Sequence, residues 1–307
     1  MSYKIKKAAV LGSGVMGSGI ACHLANVGID VLMLDILPKD LEKNKNRNAI
    51  SDGSLMRAVK SRPNPLYKKD YLKRIKTGNF EDDFDKISEA DWIIEVVVEN
   101  LEIKKQIFEK VEKYKTKGVI VTSNTSSIPI GLLCEGRSDD FKKNFCGTHF
   151  FNPPRYLRLF EVIPHDKTDS KLVDYLMEFG DIVLGKQTVL CKDTPAFIGN
   201  RIGVMAGIKL SQLTDKYNFT IEEVDLITGT VIGYPNSGTF RLQDLVGLDT
   251  SDKVTKFLVD TVKDDTFYSK LKDQPENKAF RFLIDNNFLG NKSGKGYYEK
   301  TNKKDEN

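Results

Sequence analysis

Short apolar runs bounded by turn-forming residues alternate along most of the chain with stretches of helical period. Lys7 to Gly12 reads as a short buried strand, Ser18 to Val27 as a helix stopped by Gly28, and Asp30 to Asp35 as a second strand. The alternation continues with a strand at Lys76–Phe80, a brief helix at Phe84–Ile87 and a central strand at Trp92–Val98. A helix from Glu99 follows, with apolar residues at 101, 103, 107, 108 and 111, near the helical period. Strands are expected at Val119–Ser123, Asn144–His149 and Leu159–Ile163, with Ile182–Gly185 and Thr188–Cys191 completing the sheet. Strands alternating with helices predict an α/β protein with a Rossmann-type doubly wound sheet. Beyond Pro195 the alternation stops. Helices are expected from Phe197, at Ile221–Ile227, at Phe240–Val246 and from Asp252. The expected organisation is a nucleotide-binding domain over 1–194 and an all-helical C-terminal domain over 195–307, with a charged, frayed tail from Thr301.

One segment departs from this order. Lys39 to Thr77 is rich in lysine and favours helix at 41–45, 54–60 and 67–75, broken by Arg62-Pro-Asn-Pro65. It is too long for a plain crossover and predicts a helical excursion from the sheet. Such a basic face is either simply solvated or a cradle for an anionic ligand.

Chemistry enters at the first turn, Gly12-Ser-Gly14-Val15-Met16-Gly17. GxGxxG alone is a weak signal, but here it joins a strand to a helix inside a βαβ unit, with Asp35 ending the next strand. Gly12 permits the tight turn, Gly14 lets backbone approach a pyrophosphate, and Gly17 lets the helix pack on the sheet. The helix start offers N–H donors to phosphate, so the whole turn, Val15 and Met16 included, is expected to face a dinucleotide. Asp35 would accept from the ribose hydroxyls and repel a 2′-phosphate. No Arg follows it, only Ile36-Leu37-Pro38, which favours NAD over NADP.

The second chemical stretch is Thr148 to Ile163. His149 ends one strand, Asn152-Pro153-Pro154 forces a turn, and Glu161 lies inside the returning apolar strand. A buried carboxylate needs a partner, and an imidazole on the adjacent strand supplies one; a His so held is a general base. Glu99, Asn124 and Ser126 fall beyond the carboxyl ends of their strands, where ligands lie in such a sheet. A lesser reading of Ser126 is a cap on a helix starting near Ile128, and the two roles are compatible. His23 and His165 read as structural.

Composition changes little in this picture. The 307 residues, 40% hydrophobic and 29% charged, describe an ordinary globular protein. A net charge of +4 gives no indication of nucleic acid. Cys22, Cys134, Cys146 and Cys191 lie far apart with no metal-ligand spacing, so no metal is expected and a reducing, cytoplasmic setting is. No apolar run approaches the length of a membrane span, and none resembles a signal peptide.

Taken in order, Gly12-x-Gly-x-x-Gly17, Glu99-Asn-Leu, Ser123-Asn-Thr-Ser-Ser127, His149-Phe-Phe-Asn-Pro153, Glu161-Val-Ile, Lys192-Asp-Thr-Pro-x-Phe-Ile-x-Asn200-Arg, Val246-Gly-Leu-Asp-Thr250 and Gly294-Lys-Gly-Tyr-Tyr298 resemble the L-3-hydroxyacyl-CoA dehydrogenases over essentially the whole chain. Asn152-Pro-Pro-Arg-Tyr-Leu-Arg158 is most similar to bacterial β-oxidation proteins in which this dehydrogenase is fused to an enoyl-CoA hydratase. The resemblance implies NAD-dependent oxidation of an L-3-hydroxyacyl-CoA to the 3-ketoacyl-CoA. It implies His149 as base, Glu161 as its orienting carboxylate, Ser126 bonded to the reacting oxygen, and Asn200 and Asn152 holding substrate. It places Glu99, Lys104, Asn124 and Lys292 near the cofactor, Ser54 and Lys60 near the CoA nucleotide, and a homodimer contact in the helical domain. Arg155 and Arg158 depart from the mainly apolar turn of the stand-alone enzymes and mark either an acyl-CoA contact or a docking surface. Asn236-Ser237 replaces a common Met-Gly. Two other readings stay open: a dehydrogenase of small free 3-hydroxy acids, which typically uses a lysine base, and a non-catalytic scaffold such as the related lens crystallin.

Overall fold

The short apolar runs assemble into one eight-stranded sheet in the first of two compact units, Met1–Phe197 and Ile198–Asn307, of the computed structural model. The structure describes residues 3–40, 45–263, 265–273 and 277–299; residues 41–44 of the expected helical stretch and the tail 301–307 lie outside them. The strands are β1 (Lys7–Leu11), β2 (Asp30–Asp35), β3 (Ile75–Asn79), β4 (Trp92–Glu95), β5 (Ile120–Ser123), β6 (Phe145–Phe150), β7 (Leu159–Ile163) and β8 (Gln187–Leu190). Their order is β3-β2-β1-β4-β5-β6-β7-β8, parallel throughout except for the antiparallel pair β6–β7. The winding reverses between β1 and β4, which makes the carboxyl ends of these two strands the place for a ligand.

Helices α1 (Val15–Asn26), α2 (Ala49–Lys60), α3 (Leu101–Tyr114), α4 (Ile130–Leu133), α5 (Asp139–Lys143) and α6 (Ser170–Ile182) complete this unit. One core gathers Val10, Ile20, Leu24, Trp92, Phe150, Phe160 and Leu176. The rings of Phe108, Phe141 and Phe145 pack edge-on and tilted in a second cluster, which seats α3. Strand alternation puts Phe150 in the first core and turns His149 the other way.

Two expected strands are corrected. The run Trp92–Val98 leaves the sheet after Glu95, because the Val97 amide turns to the Glu95 carboxylate at 2.7 Å and Val98 is exposed. Ile182–Gly185 is no strand at all. Ile182 ends α6 with 73% exposure, and Gly185 at φ +62 turns the chain into β8. A short apolar run cannot be told from the end of an amphipathic helix by periodicity alone.

The second unit contains α7 (Gly199–Tyr217), α8 (Ile221–Ile227), α9 (Phe240–Val246), α10 (Leu248–Thr261), α11 (Thr266–Leu271) and α12 (Lys278–Asp285). Thr220 and Glu223 form a capping box on α8, and Asp225 accepts from the amides of Thr239, Phe240 and Arg241 at 2.6–2.9 Å. Among the described residues, no helix is long and apolar enough to cross a membrane.

Candidate active site

The glycine turn separates into fold and ligand roles. Gly12 has φ +107, and a Cβ on it would lie 2.6 Å from the Val96 carbonyl oxygen. A Cβ on Gly17 would lie 1.8 Å from the Gly12 carbonyl oxygen, whereas one on Gly14 would meet nothing within 4 Å. α1 begins with no side-chain cap and no acid in its first turn, and its backbone bonding begins with the Ser18 amide on the Gly14 carbonyl. The amides of Val15, Met16 and Gly17 are therefore the free donors that a helix start offers an anion. Asp35 ties this turn to β2. Its Oδ2 accepts from the Ser13 amide at 2.6 Å and hydroxyl at 2.5 Å, and its Oδ1 from the Ile36 amide at 2.7 Å. An open glycine, uncapped amides and a carboxylate ending β2 fit the diphosphate and ribose of a dinucleotide.

Farther along the sheet, β6 and β7 pair so that His149 lies directly opposite Glu161. Directly opposed residues point to one face with Cβ atoms about 5 Å apart, so the pair meets without any loop rearrangement. His149 Nδ1 is 2.6 Å from Glu161 Oε2; the carboxylate is fully buried and the imidazole side chain 7% exposed. The carboxylate fixes the tautomer, because Nδ1 must carry the proton to donate it, and this leaves a lone pair on Nε2. Among the described residues Nε2 takes no hydrogen-bond partner. The rings of Phe151 and Phe197, at centroid distances of 4.4 and 5.9 Å, hold the imidazole plane.

Glu99 organises the hydroxyl turn after β5. Its Oε1 accepts from the Thr125 hydroxyl at 2.6 Å, the Ser127 hydroxyl at 2.8 Å and the amides of Ser126 and Ser127 at 3.0 Å each. The Ser126 hydroxyl lies at 3.5 Å from the same oxygen, so it is only weakly engaged. Burial alone would raise the Glu99 pKa, but Lys104 and these donors outweigh it and hold the carboxyl below its ordinary value. Ser126 does not cap α4. Asp193 does, accepting from the amides of Ile130 at 2.8 Å and Gly131 at 2.9 Å. Asn124 uses its side-chain oxygen on the Phe150 amide at 2.9 Å, which ties the end of β5 to the residue after His149.

Lys104, expected near the cofactor, lies beneath Glu99. Its side chain is 1% exposed, and its ammonium lies 2.7 and 3.0 Å from the Glu95 oxygens and 3.3 Å from Glu99 Oε2, so it is engaged with two carboxylates. Glu95 also accepts from the Ser123 hydroxyl at 2.5 Å; burial pushes its pKa up, against the pull of Lys104 and Ser123. The sequence reading missed Glu95, although a carboxylate inside an apolar run is the same cue that singled out Glu161.

The turn Pro153–Arg158 is pinned from two sides. The Arg155 guanidinium lies over the rings of Tyr67 and Tyr156, at 4.4 and 4.9 Å, and donates to the Asn64 and Leu66 carbonyls, so it staples the turn to the 62–67 segment. Buried Lys186 donates to the carbonyls of Pro154 and Leu157. Asn152 and Arg158 stay exposed. Burial pushes Lys186 down from 10.5 to about 8. Between these values the unfolded chain binds the proton more tightly, so this group adds stability as pH rises through the window. Lys186→Met is therefore expected to unfold with a shallower stability gain from pH 8 to 10.5 in urea titrations. Equal slopes in variant and parent would reject Lys186 as the source.

Of the two residues expected at the CoA nucleotide, Lys60 is exposed, whereas Ser54 is buried and accepts from Arg57 Nη2 at 2.9 Å. Asn200 stands in the first turn of α7, and Lys292 is paired with Asp249, both in the second unit. The other histidines are structural. His23 Nε2 bonds the Leu184 carbonyl at 3.0 Å, and burial, then Lys186, pushes its pKa down to about 4. His165 Nε2 lies 3.0 Å from the Lys142 carbonyl. No cluster of side chains able to hold a metal occurs among the described residues.

Comparison with known proteins identifies the family. Residues 7–194 match the family model for the 3-hydroxyacyl-CoA dehydrogenase NAD binding domain, and residues 197–300 match that for the 3-hydroxyacyl-CoA dehydrogenase C-terminal domain. The chain is 46% identical to a probable 3-hydroxyacyl-CoA dehydrogenase of Bacillus subtilis over 99% of its own length but only 39% of that protein's. It is 45% identical to a probable 3-hydroxyacyl-CoA dehydrogenase of Deinococcus radiodurans, covering 97% of this chain and 84% of that one. The crystal structure of (S)-3-hydroxybutyryl-CoA dehydrogenase from Ralstonia eutropha superposes with a TM-score of 0.76 at 29% identity, over 97% of this chain and all of the other. With both of its units matched, the chain belongs to the 3-hydroxyacyl-CoA dehydrogenase family.

Proposed function

We propose that this chain interconverts an L-3-hydroxyacyl-CoA and its 3-ketoacyl-CoA with NAD, with His149 as general base. The observation that carries the reading is the buried 2.6 Å pair of His149 Nδ1 and Glu161, which leaves Nε2 as a lone-pair acceptor. Bound NAD supplies the acceptor for the hydride leaving C3. Nε2 takes the C3 hydroxyl proton, and Glu161 stabilises the imidazolium that results; in the reverse direction Nε2–H returns the proton. The weakly engaged Ser126 hydroxyl is the donor to the reacting oxygen, with Asn152 and Asn200 as further substrate contacts. Ser54 and Lys60 are assigned to the CoA nucleotide, the exposed lysine being the better supported. Glu99, Asn124 and Lys292 belong to the cofactor surroundings, and Asp35 sets the preference for NAD.

A homodimer through the helical unit is part of the proposal, supported by the exposed Ile202, Leu226, Val231 and Leu245 on that unit. The similarity of residues 152–158 to fused β-oxidation proteins supports an enoyl-CoA hydratase, fused or associated, as partner. Cys22, Cys134, Cys146 and Cys191, all buried, support a reducing cytoplasmic setting.

The test is NADH oxidation with acetoacetyl-CoA, with free acetoacetate and NADPH as controls. Turnover that requires both the CoA thioester and NADH is expected. Equal turnover of free acetoacetate would favour a free-acid dehydrogenase, and no turnover of either would favour a non-catalytic scaffold.

A further inference from the structure

Glu95 ends β4 and Ser123 ends β5, at directly paired positions of the sheet. Lys104 reaches Glu95 and Glu99 from the first turn of α3, so one buried ammonium joins two carboxylates of different exposure. Buried charge of this kind adds little stability over a well-packed apolar pair, so its presence calls for another account. The contacts supply one. Lys104 takes Glu99 by Oε2, which turns Oε1 toward the two hydroxyls and two amides of the Thr125–Ser127 turn. Glu95 holds the ammonium from beneath with both of its oxygens.

We propose that Glu95 and Lys104 are positioning residues for the Thr125–Ser127 turn: through Glu99 they hold its backbone so that the Ser126 hydroxyl is presented to the reacting oxygen. The catalytic part of this rests on the dehydrogenase reading above. Lys104 acts through Glu99, and Glu95 acts through Lys104 and through the Ser123 hydroxyl, which accepts from the Thr125 amide at 3.2 Å.

The test compares Lys104→Met and the double variant Glu95→Gln/Lys104→Met with the parent chain in steady-state kinetics, NADH titration, melting temperature and hydrogen exchange at the Ser126 and Ser127 amides. The single variant leaves Glu95 buried without a counterion and is expected to melt lower; neutralising both should restore much of the loss. In both variants kcat is expected to fall about 10–100-fold, as a misplacement of about 1 Å produces, with NADH affinity little changed. Exchange at the two amides should accelerate in both. Recovery of kcat together with melting temperature in the double variant would overturn the proposal, as would unchanged kcat with weakened NADH binding, which would make Lys104 a cofactor contact. Exchange needs no substrate. Faster exchange in a protein that does not turn over acetoacetyl-CoA would keep the positioning role and remove the dehydrogenase reading; unchanged exchange would remove the positioning role whatever the activity.

Discussion

Replacing His149 by Gln is expected to lower kcat for acetoacetyl-CoA reduction by about 10²–10⁴-fold, the usual worth of a general acid–base group, while NADH affinity stays near that of the parent. Gln can keep a hydrogen bond from its amide to Glu161, so the buried carboxylate is not stranded and the strand pair β6–β7 should survive. What Gln lacks is a titratable nitrogen where Nε2 stands. The glycine turn at β1 is carried by other strands, and the residue after His149 is anchored through Asn124 by its backbone amide, which the substitution leaves in place. Steady-state rates and NADH fluorescence titration separate the two effects. A loss of NADH binding along with a lowered melting temperature would make His149 structural, and a kcat within about tenfold of the parent would place the base elsewhere.

This site was legible in the sequence where local geometry decides it. A turn of known length between two apolar strands places His149 opposite Glu161, and the glycine spacing needs only the strand and helix around it. The parts that escaped depend on contacts between distant segments. Lys104 is placed near the cofactor by resemblance alone, since nothing in the helical period shows that it reaches under Glu99 to Glu95. Arg155 reads as a substrate or docking contact until Tyr67 and Asn64 are found beside it. Ser126 can also be read as a helix cap because Asp193, which does that work, lies 63 and 62 residues further along the chain from the amides whose hydrogen bonds it accepts. The fold fails to read through where burial is inferred from apolarity alone, at Val98 and at Ile182, both of which are exposed, and where helices such as α6, α11 and α12 are not expected at all.

The two glycines that are hardest to tell apart in sequence should behave oppositely. Gly17→Ala would place a methyl 1.8 Å from the Gly12 carbonyl oxygen, and Gly12 cannot yield. Its own amide is bonded to the Leu34 carbonyl at 2.8 Å, and its φ of +107 is already confined by Val96. Relief requires moving α1 off β1, at a cost of about 3 kcal/mol, the upper end for inserting one carbon into a packed site. For a unit of this size that corresponds to a fall in melting temperature of about 6–12 °C. Gly14→Ala meets no atom within 4 Å, and φ −53 with ψ −170 is open to alanine. Its stability cost is expected to be about 1 kcal/mol or less, that of a poorer N-cap. Its methyl instead enters the open space beside the start of α1, where the glycine pattern puts a phosphate. NADH binding should weaken by about tenfold or more, since a hydrogen bond to a charged group is worth about 1.5–3 kcal/mol. Melting curves with and without NADH distinguish the two: Gly17→Ala should melt low in both, and Gly14→Ala should melt normally but lose the shift given by NADH. If Gly14→Ala lost stability and NADH binding together, the division of the turn into packing and ligand glycines would be wrong.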